Sequence, residues 1–372
     1  MNIRLATEED LDAIMTMVAH SRGLMRADGN MTQWTGYPTR EIMHDDIDRR
    51  VSFIMEDDEP SGKNDTAATR YLATFALVPG VEPTYGYIDH GRWLDPDSPY
   101  ATLHRLAKSP DSHDVAEKVF AFAKQQYSYL RADTHADNRP MRHILAKEGF
   151  VESGIVYMGD GSPRVAYEWW RWDSVPADLH HFVEHEIIPQ YRSFDAAHGE
   201  QHVRRVIARA MLINPLPTTY VAAAMHDLGL AAGRDVHHLE SGSIIRQCHE
   251  LHRWFNDQEI EEIAQAAEDH RASAAKAPRS TLGCIVAEAD RDLEPETIVR
   301  RTVEYGISHY PTLSREEHWQ RTLQHLHEKY SEEGYIKLWL PDSPNATPLA
   351  ELRAIIADKT RLRELFDKYY DR

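Results

Sequence analysis

The segments FDAAHGEQHVRRV (194–206), AAAMHDLGL (222–230) and LGCIVAEADRDL (282–293) decide how the C-terminal half is read. His198 and His202 stand four residues apart, so on a helix both imidazoles share one face. In the second segment an apolar helix runs into the adjacent pair His226 and Asp227, and Gly229 follows. In the third, Leu282, Ile285, Val286 and Ala289 form one apolar face, and Asp290 comes one residue later, a carboxylate at the edge of that face.

Around these segments, stretches 176–191, 199–212, 217–229, 238–254, 257–270, 281–291 and 316–331 keep apolar residues at three-and-four spacing, which predicts an all-helical bundle. Before Trp172 the texture is mixed. Beta-rich runs at Tyr71 to Val78, Tyr100 to Ala107, Tyr129 to Thr134, Phe150 to Met158 and Arg164 to Trp170 alternate with helical stretches at 8–19, 114–127 and 138–148. WDSVP (172–176) reads as a short punctuation between two domains, 1–173 and 177–372, and MEDDEPSGKND (55–65) as an exposed loop.

A length of 372 residues suits two domains of ordinary size. The formal net charge of −18 opposes general attraction to nucleic acid or anionic lipid, so neither is an expected partner. Histidine is the compositional anomaly: 22 residues, more than the 9 Phe or the 8 Trp. Two cysteines, Cys248 and Cys284, make neither a disulfide framework nor a four-cysteine zinc site. The start MNIRLATEEDLDAIM lacks a secretory pattern, and no apolar run approaches the roughly 18 residues that span a bilayer, so a cytoplasmic protein without membrane contact is expected.

The order of a His before a V-x-R-V turn, a His-Asp doublet and a distant Asp resembles the HD superfamily of metal-dependent phosphohydrolases, over about 195 residues. That resemblance implies that His202, His226, Asp227 and Asp290 ligate a divalent cation, with His226 and Asp227 at the catalytic centre and His198 close by. Mixed nitrogen and oxygen donors suit Mn, Fe, Co, Ni or Zn. Such an ion lowers the pKa of a bound water and polarises a phosphoryl oxygen. His238, in HHLESG, and His270, in AAEDHRAS, fall where two-metal members of the superfamily carry further ligands, so one or two ions are implied. His237, His249, His252, His309, His325 and His327 read as scattered surface histidines. Arg205 and Arg291 flank the ligand segments, suited either to substrate phosphate or to helix-surface salt bridges.

In the N-terminal half, IRLATEEDLDAI, Trp34 with Tyr37 and Pro38, PYATLHRLA, RADTHADNRPM and KEGF occur in an order that resembles the GNAT family of N-acetyltransferases over about 170 residues. The resemblance implies an α+β fold and acetyl-CoA as cofactor, bound along Leu106 and Ala107 and at the helix start with Val115 and Ala116, with Asn138 near. The phosphate loop departs from the family's R/Q-x-x-G-x-G/A: it is Asp111, Ser112, His113, Asp114, Val115, Ala116, and only Ala116 fits. The family's thiolate-protonating tyrosine is Leu145. Trp34, Tyr37, Asp133 and His135 are candidates for an acceptor pocket, alongside packing roles.

The fold expected is therefore a GNAT-like α+β domain followed by an all-α HD-type bundle. The function expected is phosphoester hydrolysis of a small substrate, a nucleotide among the candidates, beside a GNAT-like domain that acetylates a small amine or only binds a ligand. The alternative is a non-catalytic sensor of a metabolite or acyl-CoA, with the helical bundle as its structural partner.

Overall fold

A computed structural model describes residues 1–57, 70–110, 112–195, 197–271 and 276–371. The chain divides into two compact units, Met1–Arg171 and Trp172–Arg372.

The first unit is built from β1 (Asn2–Leu5), α1 (Leu11–Ala27), α2 (Arg40–Asp48), β2 (Ser52–Asp57), β3 (Arg70–Pro79), β4 (Ala101–Lys108), α3 (Val115–Gln126), β5 (Tyr129–Thr134), α4 (Arg139–Lys147), β6 (Val151–Tyr157) and β7 (Pro163–Trp170). The strands form one sheet in the order β1-β2-β3-β4-β5-β7-β6. Every neighbouring pair is antiparallel except β4 and β5, which α3 joins in parallel. That parallel register covers two positions, Ala101↔Leu130 and Thr102↔Arg131, and the ladder goes no further. Helices cover both faces. Val119, Phe120 and Ala123 of α3 and Leu145 of α4 pack with Phe75, Leu103, Leu130 and Phe150; on the other side Ile14 and Val18 of α1 and Met43 of α2 pack with Ile54 and Ala107.

MEDDEPSGKND does not start as a loop. β2 continues to Asp57, pairing Met55 with Ala73 and accommodating Glu56 through the guanidinium of Arg4 at 3.1 Å; residues 58–65 lie outside the described residues. Buried Met55 and Ile54 in this short run carry the strand, and the acidic composition hides them.

The second unit is helical. α5 (Ala177–Phe182) leads through tight turns into α6 (Glu200–Ile213), α7 (Pro217–Met225), α8 (His237–Gln247), α9 (Asp257–Asp269) and α10 (Thr281–Ala289). These enclose a core that includes Tyr191, Val203, Val206, Ala223, Ile245, Ile263 and Ile285. α11 (Pro295–His309), α12 (Arg315–Tyr330), α13 (Ala346–Ala357) and α14 (Lys359–Tyr370) build a second core around Val299, Leu326, Leu352 and Phe366. Two helical stretches are shorter than their periodicity suggests. The one starting at 217 ends at Met225, and the one expected over 238–254 breaks at Cys248, whose ψ of 90° leaves the helical region. The first of these breaks sits at the His-Asp doublet.

Candidate metal centre

The break after α7 places the doublet. His226 is the last residue in helical conformation, and Asp227 turns away with φ −112° and ψ 9°. The two side chains therefore leave the helix end together, and both are buried, at 0% and 3% exposure. Tyr191, itself buried, locks the turn: its hydroxyl donates to the Ala224 carbonyl at 2.8 Å and accepts from the Asp227 N–H at 3.4 Å.

Asp227 faces histidines on two sides. Its Oδ2 lies 3.7 Å from His202 Nε2 and 3.3 Å from His226 Nε2. Its Oδ1 lies 3.4 Å from His237 Nε2 and 3.3 Å from His270 Nε2. Asp290 closes the first side, with Oδ1 3.2 Å from His202 Nε2 and 3.8 Å from His226 Nε2. The ligand atoms thus form two groups that share Asp227: His202, His226 and Asp227, and Asp227, His237 and His270.

Three of these imidazoles are oriented the same way. His226 Nδ1 donates to the Ala223 carbonyl at 2.8 Å, His237 Nδ1 to Arg234 at 2.7 Å and His270 Nδ1 to Ala267 at 2.5 Å. Each uses the carbonyl three residues before it, which fixes the tautomer and turns an Nε2 lone pair into the cluster. A ring of lone pairs around carboxylate oxygens, with no donor between them, is unfavourable unless a positive charge sits there. Consistent with that, His202 Nε2, His226 Nε2 and Asp227 Oδ1 are buried with no hydrogen-bond partner. These atoms fit a cation in both chemistry and position.

The cluster's carboxylates draw a positive charge, which either a proton on His226 or a cation supplies. Burial opposes a charge on His226, yet the adjacent Asp227 carboxylate pushes the imidazole up to about 9. Burial works against ionised Asp227 too, and His226 overrides it, holding the carboxyl far below its ordinary range. Burial lowers His202 and His237, favouring their neutral, ligating form.

The sequence order implies His238 as the further ligand and His237 as a surface residue. The structure brings His237 to the cluster, 3.2 Å from His270 Nε2, while the His238 ring lies 5.5 Å from the His237 ring and belongs to neither ligand group. Adjacent residues on the first turn of α8 point about 100° apart, so only one of the pair can face Asp227. His198 pairs with Asp195 at 2.8 Å, its ring 5.9 Å from that of His202.

The two arginines part company. Arg291 is 6% exposed and donates to the Lys337 carbonyl, a tie between α10 and the chain after α12. Arg205 lies 3.7 Å from Asp292, a carboxylate it shares with Arg209 at 3.2 Å and Arg301 at 3.7 Å.

Gly229 makes the approach of α8 possible. A Cβ there would come 2.3 Å from the His237 carbonyl oxygen and 2.5 Å from the Ser241 N–H nitrogen. Gly229→Ala must therefore push α8 back, and a loss of about 2 kcal/mol or more is expected. Thermal unfolding checks the stability loss, and metal analysis should show weakened retention because His237 moves with the helix.

In the N-terminal unit Ala107 is buried in the α1–α2 core and Leu106 packs on the α3 side. Val115 is buried at the start of α3, beside half-buried Ala116. Asp114 precedes α3 in a left-handed conformation, φ 53°, and makes no side-chain cap; Asp111 lies outside the described residues. Asn138 caps α4, accepting from Met141 N–H at 3.2 Å and donating to Gln33 at 3.0 Å. His135 meets Thr32 at 3.1 Å, Trp34 packs on the α1–α2 core, and Tyr37 accepts from Arg105 at 2.7 Å. Asp133 accepts from Tyr85 at 2.7 Å and faces His104, which in turn meets Glu82; neither His104 nor Glu82 stands out in the sequence. Their signal was thin, since a His on a strand and an acid in a loop are ordinary.

Residues 199–293 match the sequence family described as HD domain. No curated protein matches the chain. Solved structures similar to the N-terminal half include a GNAT-family acetyltransferase from Streptococcus agalactiae 2603, 29% identical, covering 46% of this chain and 95% of that one with a TM-score of 0.40. A GNAT-family acetyltransferase from Listeria monocytogenes 4b F2365 is 14% identical, covering 46% and 94%, TM-score 0.34. The ribosomal-protein-alanine N-acetyltransferase from Brucella melitensis is 16% identical, covering 46% and 100%, TM-score 0.32. The chain carries an HD domain at residues 199–293, and its N-terminal half is similar to these GNAT-family structures. Among the described residues no helix is long and apolar enough to cross a membrane.

Proposed function

We propose that the C-terminal unit is a metal-dependent phosphohydrolase acting on a small phosphorylated substrate, and that the N-terminal unit is an acetyl-CoA-dependent N-acetyltransferase of a small amine. The observation that carries the first part is the shared carboxylate: Asp227 presents one oxygen to His202 and His226 and the other to His237 and His270.

His202, His226, Asp227 and Asp290 would hold one divalent cation, and Asp227, His237 and His270 a second. Bound there, such ions supply Lewis-acid polarisation of a phosphoryl oxygen and an acidified water. The protein's part is orientation. The carbonyls of Ala223, Arg234 and Ala267 hold three imidazoles in the ligating tautomer, and Tyr191 holds the doublet's backbone. Nitrogen and oxygen donors without a thiolate suit Mn, Fe, Co, Ni or Zn. Arg205, Arg209 and Arg301 each approach the Asp292 carboxylate, two residues beyond the ligand Asp290. A guanidinium fork suits phosphate oxygens, which gives Arg205, three residues after His202 on α6, the phosphate-contacting role, whereas Arg291 serves as a structural tie.

His237→Ala is expected to lower bound metal from two ions per chain to one, and His238→Ala to leave both. Elemental analysis of the two variants after supplementation tests the pair. Equal loss from both, or from neither, contradicts the assignment of His237.

For the N-terminal unit the support is the opening where β4 and β5 stop pairing after Thr102, which leaves the β4 backbone edge available to an extended ligand. Asp114 at the start of α3 opposes phosphate binding at that helix end. Weak acetyl-CoA binding is expected, and Asp114→Asn should strengthen it by removing one like-charge repulsion, a few-fold change by calorimetry.

A further inference from the structure

The same opening in the N-terminal unit holds a cluster of ionisable groups. His104 lies on β4 and Asp133 on β5, each two residues past the last paired position, Thr102↔Arg131, so they occupy the two lips of the divergence. His104 Nε2 meets Glu82 Oε2 at 3.2 Å. A carboxylate accepts only, so Nε2 carries the hydrogen and the Nδ1 lone pair of neutral His104 is turned the other way. It faces Asp133 Oδ1 at 3.9 Å, too far for a hydrogen bond between them. Asp133 in turn is held by the buried hydroxyl of Tyr85 at 2.7 Å, and Glu82 by the Thr84 N–H and hydroxyl at 3.2 and 2.9 Å. The side chains keep a little exposure, 15% for His104 and 9% for Asp133, so solvent reaches them.

Two acceptors 3.9 Å apart, both fixed from behind, repel each other until a proton on Nδ1 or a donor with two hydrogens between them relieves the repulsion. An ammonium nitrogen about 2.8 Å from each would direct one N–H to Asp133 and another to His104.

We propose that His104 is the proton-accepting catalytic residue for an ammonium-bearing acceptor that binds between His104 and Asp133. This rests on the acetyltransferase reading of the N-terminal unit. Asp133 anchors the ammonium, Glu82 holds the imidazole, and His104 Nδ1 takes one proton from the ammonium. The freed amine lone pair attacks the carbonyl carbon of an acyl thioester. The C–N bond forms, the C–S bond breaks with its electron pair going to sulfur, and a second proton from the nitrogen neutralises the thiolate. His104 returns its proton to solvent, so an ammonium and a thioester become an amide, a thiol and one released proton.

The test uses the full chain with acetyl-CoA and three acceptors, n-butylamine, spermidine and a free amino acid, with amine-dependent thiol release as readout. His104→Gln is expected to lower kcat about 100-fold while acetyl-CoA affinity by calorimetry stays unchanged. Asp133→Asn should mainly raise the amine KM, about tenfold, and Glu82→Gln should lower kcat with little change in KM. Should His104→Gln fail to fold, Glu82→Gln, which keeps the shape of the pair, carries the same kcat test. A His104→Gln kcat within twofold of wild type overturns the inference and leaves His104 a structural ion pair. Wild type that binds acetyl-CoA and acetylates none of the three amines also overturns it, with cofactor binding intact. Wild type that binds no acetyl-CoA at millimolar concentration overturns the acetyltransferase reading itself, and the inference falls with it.

Discussion

Asp227→Asn is expected to empty both halves of the metal centre at once. The carboxylate is the one ligand common to the two groups, with Oδ2 on the His202 and His226 side and Oδ1 on the His237 and His270 side. Asn keeps the shape and removes the charge, and it must turn an N–H2 group toward one of the two histidine pairs. A neutral amide cannot offset two dications, so metal affinity should fall by at least about 100-fold at each position. Hydrolysis should fall by on the order of 10³-fold or more, because the Lewis-acid contribution is several kcal/mol and each 1.4 kcal/mol is tenfold in rate. Thermal unfolding adds an independent readout. Wild type should gain stability on addition of metal, through ligation to the folded state alone, and Asp227→Asn should not respond. Replacement of one histidine removes one side only, so the shared carboxylate is distinguishable from a peripheral ligand. An Asp227→Asn variant that retains a full ion would contradict the bridging role.

Glu288→Ala is expected to give the largest loss of stability. Glu288 is fully buried on α10, and its carboxylate accepts from the Trp339 N–H, the Leu340 N–H at 2.6 Å and the Ser343 hydroxyl. Its backbone carbonyl takes the Asn345 amide at 2.8 Å. Four groups of one segment, 339–345, thus converge on a single residue. Truncation leaves the two backbone N–H groups and the Ser343 hydroxyl unmatched in the interior, a cost of roughly 1–3 kcal/mol each, or about 3–5 kcal/mol in all once the segment relaxes toward water. For a unit of this size that is a fall in Tm of roughly 10 °C. The effect should reach the metal centre, because Asp290 is two residues further on and Arg291 ties the same end of α10 to the Lys337 carbonyl. Weaker metal retention is therefore expected along with the lower Tm. Glu288→Gln, which keeps one acceptor oxygen, should fall between the two. A Tm change under about 2 °C for Glu288→Ala would show that the segment does not depend on this carboxylate.

Much of the candidate metal centre was legible because the order of its residues resembles the HD superfamily and those residues stand at helix ends. His226, Asp227 and Asp290 each follow an apolar periodic stretch, His202 stands on the first turn of one, and the bundle brings these helix ends to one place. His237 was not legible for a geometric reason. Two adjacent histidines open α8, and choosing between them needs the phase of a helix whose start has no side-chain cap to mark it. Gly229 then sets how close that first turn comes to the doublet, a backbone approach that leaves no pattern in composition.

Arg291 illustrates a different limit. Proximity in sequence to a ligand suggested phosphate, but the residue follows α10 where the later chain folds back, and Lys337 stands 46 positions away. Only the tertiary return of that chain shows where the guanidinium goes. The helices α11, α13 and α14 escaped the periodicity reading as well. They bury Val299, Leu352 and Phe366 against one another in a second core, and the helix break at Asp358 divides what a longer window would average. In the N-terminal unit the strand β2 was masked by its acidic end, and the His104 site needed the β4–β5 divergence, which no local pattern announces.

The most direct measurement of the central claim is the metal content of the purified full chain, before and after supplementation with Mn, Fe, Co, Ni or Zn, with phosphoester turnover measured on the same samples. Two ions per chain, with turnover of a small phosphorylated compound that follows their loading, is the result the shared Asp227 predicts. A chain that holds no transition metal between pH 6 and 9, where imidazoles and carboxylates are available as ligands, would contradict it.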